Sequence, residues 1–185
     1  MYSYSSGYDT SMLGAGIGLG AMILIYAVIL LFSLIVYFVM AFPYYKMAKR
    51  QGLPHAWVAF IPMANLYIAA VLPQFEFNLF NKFIWPKRSK AFWVYLISFV
   101  IYCVLATPMI FVAMIPILGW LLFMAYILIF MVFWYIIMWK INYDLLIAYG
   151  MEQHAMWASI VNIFCPLVMV VFSFIIMNKD QVNTY

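Results

Sequence analysis

Apolar and polar positions alternate along little of this chain; they separate into long charge-free apolar stretches and short basic clusters. The first stretch, Leu13–Tyr45, runs 33 residues without a charge and predicts a spanning helix at about 13–43, ended by Pro43. A bilayer core needs about 20 helical residues, so such a helix must tilt or project beyond the hydrocarbon. Ala91–Trp139 is charge-free for 49 residues. As one helix it would reach about 74 Å, more than twice a bilayer core, so it must fold back. Pro108, Pro116 and Gly119 mark the bend and divide it into spans at about 91–112 and 117–139. A short apolar run, Ile141–Tyr149, follows Lys140, with Asp144 four residues after that lysine. A fourth span is predicted at about 155–177, charge-free and containing Pro166.

Two segments break the pattern. Residues 55–72 are apolar but short, with Pro62 near the middle, Asn65 soon after and basic clusters on both sides. A full crossing would put one of those clusters outside, so a re-entrant or interfacial helix is favoured. In residues 74–90, Phe75, Phe77, Phe80, Phe83 and Trp85 are interspersed with Glu76, Asn78, Asn81 and Lys82. Aromatic rings beside lysines suit a belt at the headgroup level, and a docking surface for a cytoplasmic partner is the other reading.

These elements predict an all-α fold: a polytopic membrane helical bundle of four transmembrane helices plus one re-entrant or interfacial helix. It forms a single transmembrane domain over 13–178, between polar extracytoplasmic tails at 1–12 and 179–185. Composition agrees, with 70% hydrophobic residues, 8% charged and a mean hydropathy of +1.08. A soluble domain carries roughly 25% charged residues. The first ten residues contain no Lys or Arg, so no cleavable signal peptide is expected.

Charge supplies an orientation. Eight of nine cations fall into three places: Lys46, Lys49 and Arg50; Lys82, Lys87, Arg88 and Lys90; and Lys140. Basic loops stay cytoplasmic during insertion, which predicts both termini outside. The first two clusters are candidate contacts for anionic lipid headgroups or a partner. The net charge of +4 is distributed by topology, with no soluble module of interleaved cations and stacking rings, so no nucleic-acid partner is expected.

Candidate chemistry is sparse. Gly14 with Gly18, and Gly16 with Gly20, form overlapping G-x-x-x-G pairs that flatten a helix face for close packing. That face can meet another helix of the same chain or a second subunit. Asn65 and Asn162 are candidates for a polar cavity, because Pro166 frees the Asn162 carbonyl four residues earlier. Ordinary helix-to-helix hydrogen bonding is the competing role. Glu152 and His154 stand two apart at the mouth of the last span, where a carboxylate and an imidazole could do acid–base work or hold a metal. No third ligand follows at a recognised spacing, and a solvated loop pair is the favoured explanation. Cys103 and Cys165 match no zinc or redox spacing and are expected to be packed within apolar spans. No catalytic residue, cofactor site or metal site is expected.

Ala56-Trp57-Val58-Ala59-Phe60-Ile61-Pro62-Met63-Ala64-Asn65 resembles the G-W-A-A-I-I-P-I-Y-N signature of a family of small multi-pass prokaryotic membrane proteins of unknown function. Trp57, Pro62 and Asn65 carry that likeness. Met114-Ile115-Pro116-Ile117-Leu118-Gly119 resembles the family's I-P-I-V-N element, with Gly119 in place of the asparagine. Asp144 to Gly150 resembles its D-L-A-x-x-F-G element. Residues 74–90 look like an insertion, and the family's closing glycine-aspartate is absent. The resemblance implies a multi-pass architecture in a prokaryotic plasma (inner) membrane and brings no established activity. Members sometimes occur with type I signal peptidase sequences, but this chain has no matching serine–lysine pair. The function expected is a non-catalytic scaffold or accessory subunit, acting with other membrane subunits or as a homo-oligomer. The alternative is a small channel or transporter for a neutral or lipophilic solute.

Overall fold

The computed structural model describes the backbone of residues 10–182 and side chains from Leu19 onward. Among the described residues six α-helices follow one another: α1 (Thr10–Arg50), α2 (Ala64–Val71), α3 (Ser89–Ala113), α4 (Leu118–Ala148), α5 (Glu152–Phe164) and α6 (Leu167–Ile176). A 3-10 turn over Ala56–Phe60 precedes α2, and a hairpin of β1 (Phe77–Leu79) with β2 (Phe83–Trp85) precedes α3. Among the described residues, α1 from Leu19, α3 and α4 are long and apolar enough to cross a membrane. The protein is therefore helical with three candidate spans.

The chain divides into two units at Met40. The first is helix α1 up to that residue, and every side chain from Leu19 to Ile35 is exposed. Pro43 does not end α1, which continues to Arg50. A proline inside a helix removes one donor and crowds one carbonyl, a local defect that a long apolar helix absorbs as a bend.

In the second unit α3 and α4 form an antiparallel pair joined at 114–117. Ile117 takes a positive φ of 61°, and the Leu118 N–H donates to the Pro116 carbonyl at 2.7 Å. Gly119 then brings α4 against the end of α3, and any Cβ there would fall on the Val112 carbonyl oxygen. Further along, aromatic rings hold the pair together. Tyr102 and Tyr126 stack at 5.1 Å, and Trp134 packs edge-on to Tyr102 at 5.0 Å while its Nε1–H donates to Ser98 Oγ at 2.9 Å. Helix α4 runs unbroken through Lys140 to Ala148, so 141–149 is the end of that helix and no separate segment.

The core does not lie midway along the spans. The most apolar windows of α3 and α4 are 0% and 11% buried. Met47, Ile68, Leu72, Phe77, Ile141, Leu145 and Ile176 instead form a cluster where α1, α2, the hairpin and the ends of α4 and α6 converge. Lipid is as apolar as leucine, so nothing drives span surfaces out of it. Only at the polar end does burial gain hydrophobic free energy.

Residues 155–177 do not form the fourth crossing expected from sequence. The helix breaks at Cys165–Pro166, and α6 folds back along α5, with Trp157 and Phe172 rings 5.5 Å apart. At 1.5 Å per residue α5 is about 20 Å long, short of a hydrocarbon core of about 30 Å. The chain then returns to its starting end, where the Val182 N–H donates to the Ala148 carbonyl at 3.0 Å. The segment after α6 thus lies at the same end as the first basic cluster, where the sequence reading put it on the opposite side.

Residues 55–72 form two short pieces, neither long enough to cross. The aromatic belt contains a paired hairpin with Phe77 opposite Trp85 and Leu79 opposite Phe83. Phe80 and Asn81 both have positive φ, and the Lys82 N–H donates to the Leu79 carbonyl, the arrangement of a type I′ turn. Asn81 also donates its N–H to Asn78 Oδ1 at 2.9 Å, and Asn78 Nδ2 donates to Asn81 Oδ1 at the same distance.

Candidate functional site

The polar groups of the second unit gather at this basic end. Asp144, in the last turns of α4, has a side chain 1% exposed, and both its carboxylate oxygens are engaged by cations. Arg88 Nη2 donates to Oδ2 at 3.0 Å, and Lys140 Nζ, one turn back on α4, donates to Oδ1 at 2.7 Å. Arg88 immediately precedes α3, so the guanidinium links α3 to α4.

Three further bonds hold that guanidinium. Nε donates to the Ala70 carbonyl in the last turn of α2 at 2.7 Å, a cation at a helix C-terminus. Nη1 reaches the carbonyls of Phe75 at 3.3 Å and Glu76 at 3.5 Å. The rings of Phe75 and Phe77 lie 5.0 and 5.3 Å from its central carbon. Burial pushes the Arg88 pKa below its ordinary value, and the adjacent Asp144 charge opposes that shift. The planar fork of arginine suits five partners on three elements, which a lysine could not serve. Arg88 was expected to contact lipid or a partner; the structure corrects this, since it is buried and its donors face inward. Lys82, Lys87 and Lys90 of the same cluster are exposed.

A second polar group lies across the ends of α1 and α4. Arg50 Nη2 binds Asp180 at 2.5 Å, and Nη1 donates to the carbonyls of Met177 at 3.2 Å and Lys179 at 3.3 Å. Lys46 Nζ donates to Asn178 Oδ1 at 2.6 Å, and Gln181 Nε2 to the Leu72 carbonyl at 2.6 Å. Gln51 Nε2 donates to the Tyr149 hydroxyl at 3.0 Å. Burial pushes that hydroxyl up to about 12, against the bonds with Gln181 and Gln51 and the Arg50 charge. Lys49 is exposed beside the Tyr45 ring, 5.9 Å from its centre. Residues 177–182 thus form a strap over the basic end, beside an open pocket of about 200 Å³.

The remaining candidates are dispersed. Asn65 lies in the first turn of α2, which packs on α3 and α4, whereas Asn162 lies near the end of α5, which packs on α4 and α6. Trp57 and Pro62 are exposed. Glu152 and His154 are exposed at the start of α5, where His154 Nδ1 accepts from Trp157 Nε1 at 3.1 Å. Asp144 is held by Arg88 and Lys140 and does not join them. Among the described residues no group of three His, Cys, Asp or Glu side chains could hold a metal. Cys103 and Cys165, expected to be packed, are exposed. The surroundings of Gly14, Gly16 and Gly18 lie outside the described residues, and a Cβ at Gly20 would meet nothing within 4 Å.

Sequence reasoning missed the buried triad. Lys140 and Asp144 announced half of it by their spacing, whereas Arg88 was hidden among three solvated lysines. Comparison with known protein families, with curated proteins and with solved structures finds no match.

Proposed function

We propose that the protein is an integral membrane scaffold or accessory subunit without catalytic activity of its own. The observation that carries this reading is the division of burial in the second unit. Its basic end is cross-linked by a buried ion cluster, while the apolar windows of α3 and α4 are 0% and 11% buried. A rigid end with uncovered spans suits lateral association with other helices, through van der Waals packing and small or polar residues. The exposed apolar side chains from Leu19 to Ile35 extend the available surface. By the positive-inside rule the basic end is cytoplasmic, in a prokaryotic plasma membrane if the family resemblance holds. Crossings by α1, α3 and α4, an odd number, would put the residues before α1 outside and those after α6 inside.

Purification from native membranes in mild detergent, with the particle mass and identification of co-purifying chains, tests the proposal. A stoichiometric partner or a defined homo-oligomer is expected. A stable monomer with no partner overturns it.

One observation favours a small channel or transporter for a neutral or lipophilic solute instead. Broken helices that enter a membrane and return line solute paths in transport proteins, and α5–α6 has that form with partly buried Asn162 one turn before the break. Solute flux into proteoliposomes that disappears with Asn162→Leu would establish this reading, and no flux for any neutral solute would remove it.

A further inference from the structure

The strap binds itself to cations with weak or exposed partners. The Asp180 side chain on Arg50 is 93% exposed and that of Arg50 is 38% exposed, so water and salt screen the pair. The Lys179 ammonium donates to the thioether sulfur of Met151 at 3.2 Å, a poor acceptor for a full charge. Lys46 donates to the neutral amide oxygen of Asn178. Arg88, a few residues from the same end, shows the contrast: it is buried against a carboxylate that is also buried.

The pocket beside the strap is lined by Arg50, Lys179, Gln51, Gln181 and Tyr149, with Met47 and Met177 as apolar walls. Asp180 also lines it, and its carboxylate accepts from Arg50 Nη2. Two cations against one carboxylate leave a formal surplus of one positive charge. Arginine takes two oxygens of a phosphate at once, and a phosphate brings more acceptor oxygens and at least equal charge. The pocket also sits where α1 and α4 leave their apolar stretches, the level that lipid phosphates would occupy if both helices cross a bilayer.

We propose that this pocket is a binding site for a phosphate-bearing anion, with Arg50 and Lys179 as its cations and Asp180 as an internal occupant that the ligand displaces. The ligand is an anionic lipid headgroup or free phosphate, which share that chemistry. Displacement releases the Asp180 side chain from Arg50, while the Arg50 bonds to the Met177 and Lys179 carbonyls, the Lys46 bond to Asn178 and the Gln181 and Val182 bonds keep the strap in place. The site is independent of the scaffold reading: it binds its anion whether or not a partner subunit exists.

The test uses the full chain in a neutral detergent, titrated with short-chain phosphatidylglycerol or phosphatidylcholine and followed by native mass spectrometry, with inorganic phosphate as competitor. Phosphatidylglycerol should be retained about tenfold more tightly than phosphatidylcholine, and Arg50→Gln should abolish the preference. Asp180→Asn removes the internal competitor and should strengthen retention by about threefold, an effect opposite in sign to that of losing a structural salt bridge. Lys179→Gln should weaken it by a similar factor while leaving Arg50 and its bonds in place, which covers the case in which Arg50→Gln fails to fold. Displacement of the lipid by millimolar phosphate identifies free phosphate as a ligand of the site; retention in its presence identifies the headgroup. Equal retention of both lipids with no effect of phosphate overturns the proposal. So does Asp180→Asn binding that is unchanged or weaker.

Discussion

Arg88 and Asp144, 56 positions apart in sequence, meet at 3.0 Å with side chains 5% and 1% exposed. Through them the start of α3, the end of α4, the last turn of α2 and the edge of the hairpin are joined. A buried carboxylate is costly unless it is paired, and here both oxygens have cationic partners. Removing one partner strands the other. Arg88→Met or Asp144→Leu alone should cost about 3–5 kcal/mol, measured by thermal or denaturant unfolding in detergent. The double replacement should lose much less than the sum, because no unpaired Arg–Asp charge remains beyond Lys140, which can turn outward. Additive losses would show that the two residues are not energetically coupled.

Gly119 has no room for a side chain. A Cβ there would collide with the Val112 carbonyl, a backbone atom that cannot rotate away, and would lie 3.1 Å from Ile115 Cβ. Gly119→Ala should therefore open the α3–α4 turn and cost about 2 kcal/mol or more, despite the better helix propensity of alanine. Unfolding of the variant in detergent checks this. An unchanged or raised midpoint would mean that the turn adjusts freely.

Three of the four expected apolar spans and the bend at Pro116 and Gly119 were legible in the sequence from length and charge, whereas Pro108, also read as part of the bend, lies inside α3. The Lys140–Asp144 pair, four residues apart on one helix, was legible too. The rest depended on contacts distant in sequence. Arg88 sits among lysines of identical charge, and only its partner on α4 distinguishes it from them. The hairpin carried a signal in the alternation of Phe77, Asn78 and Leu79, but its turn, Phe80-Asn81, has no glycine to announce two positive φ values. The break at Pro166 was visible, yet a proline in a spanning helix can bend it or end it. The choice was made elsewhere, by Phe172 packing on Trp157 and by Asp180 meeting Arg50.

That choice has a topological consequence. With α5 and α6 returning to one end, Val182 and Lys82 belong on the same side of the membrane. In a background with Cys103→Ser and Cys165→Ser, Val182→Cys and Lys82→Cys should both react with an impermeant maleimide applied from the same face of sealed vesicles. Labelling from opposite faces would restore a full crossing at 155–177 and remove the helical hairpin.

Tyr149 links the strap to stability at high pH. Its hydroxyl is raised to about 12 from an ordinary 10, chiefly by burial. A phenol whose folded-state value exceeds its unfolded value favours the folded state fully below pH 10, where both states keep the proton. Above pH 10 the unfolded chain releases that proton first, so the contribution shrinks and is gone as pH rises through about 12. Other tyrosines and lysines titrate in the same window, so the informative quantity is the difference between wild type and Tyr149→Phe. Tyr149→Phe loses the Gln51 bond and should be less stable at neutral pH by about 1 kcal/mol. Between pH 10 and 12 the two unfolding curves should converge. Parallel curves across that window would mean that the Tyr149 proton is not linked to folding.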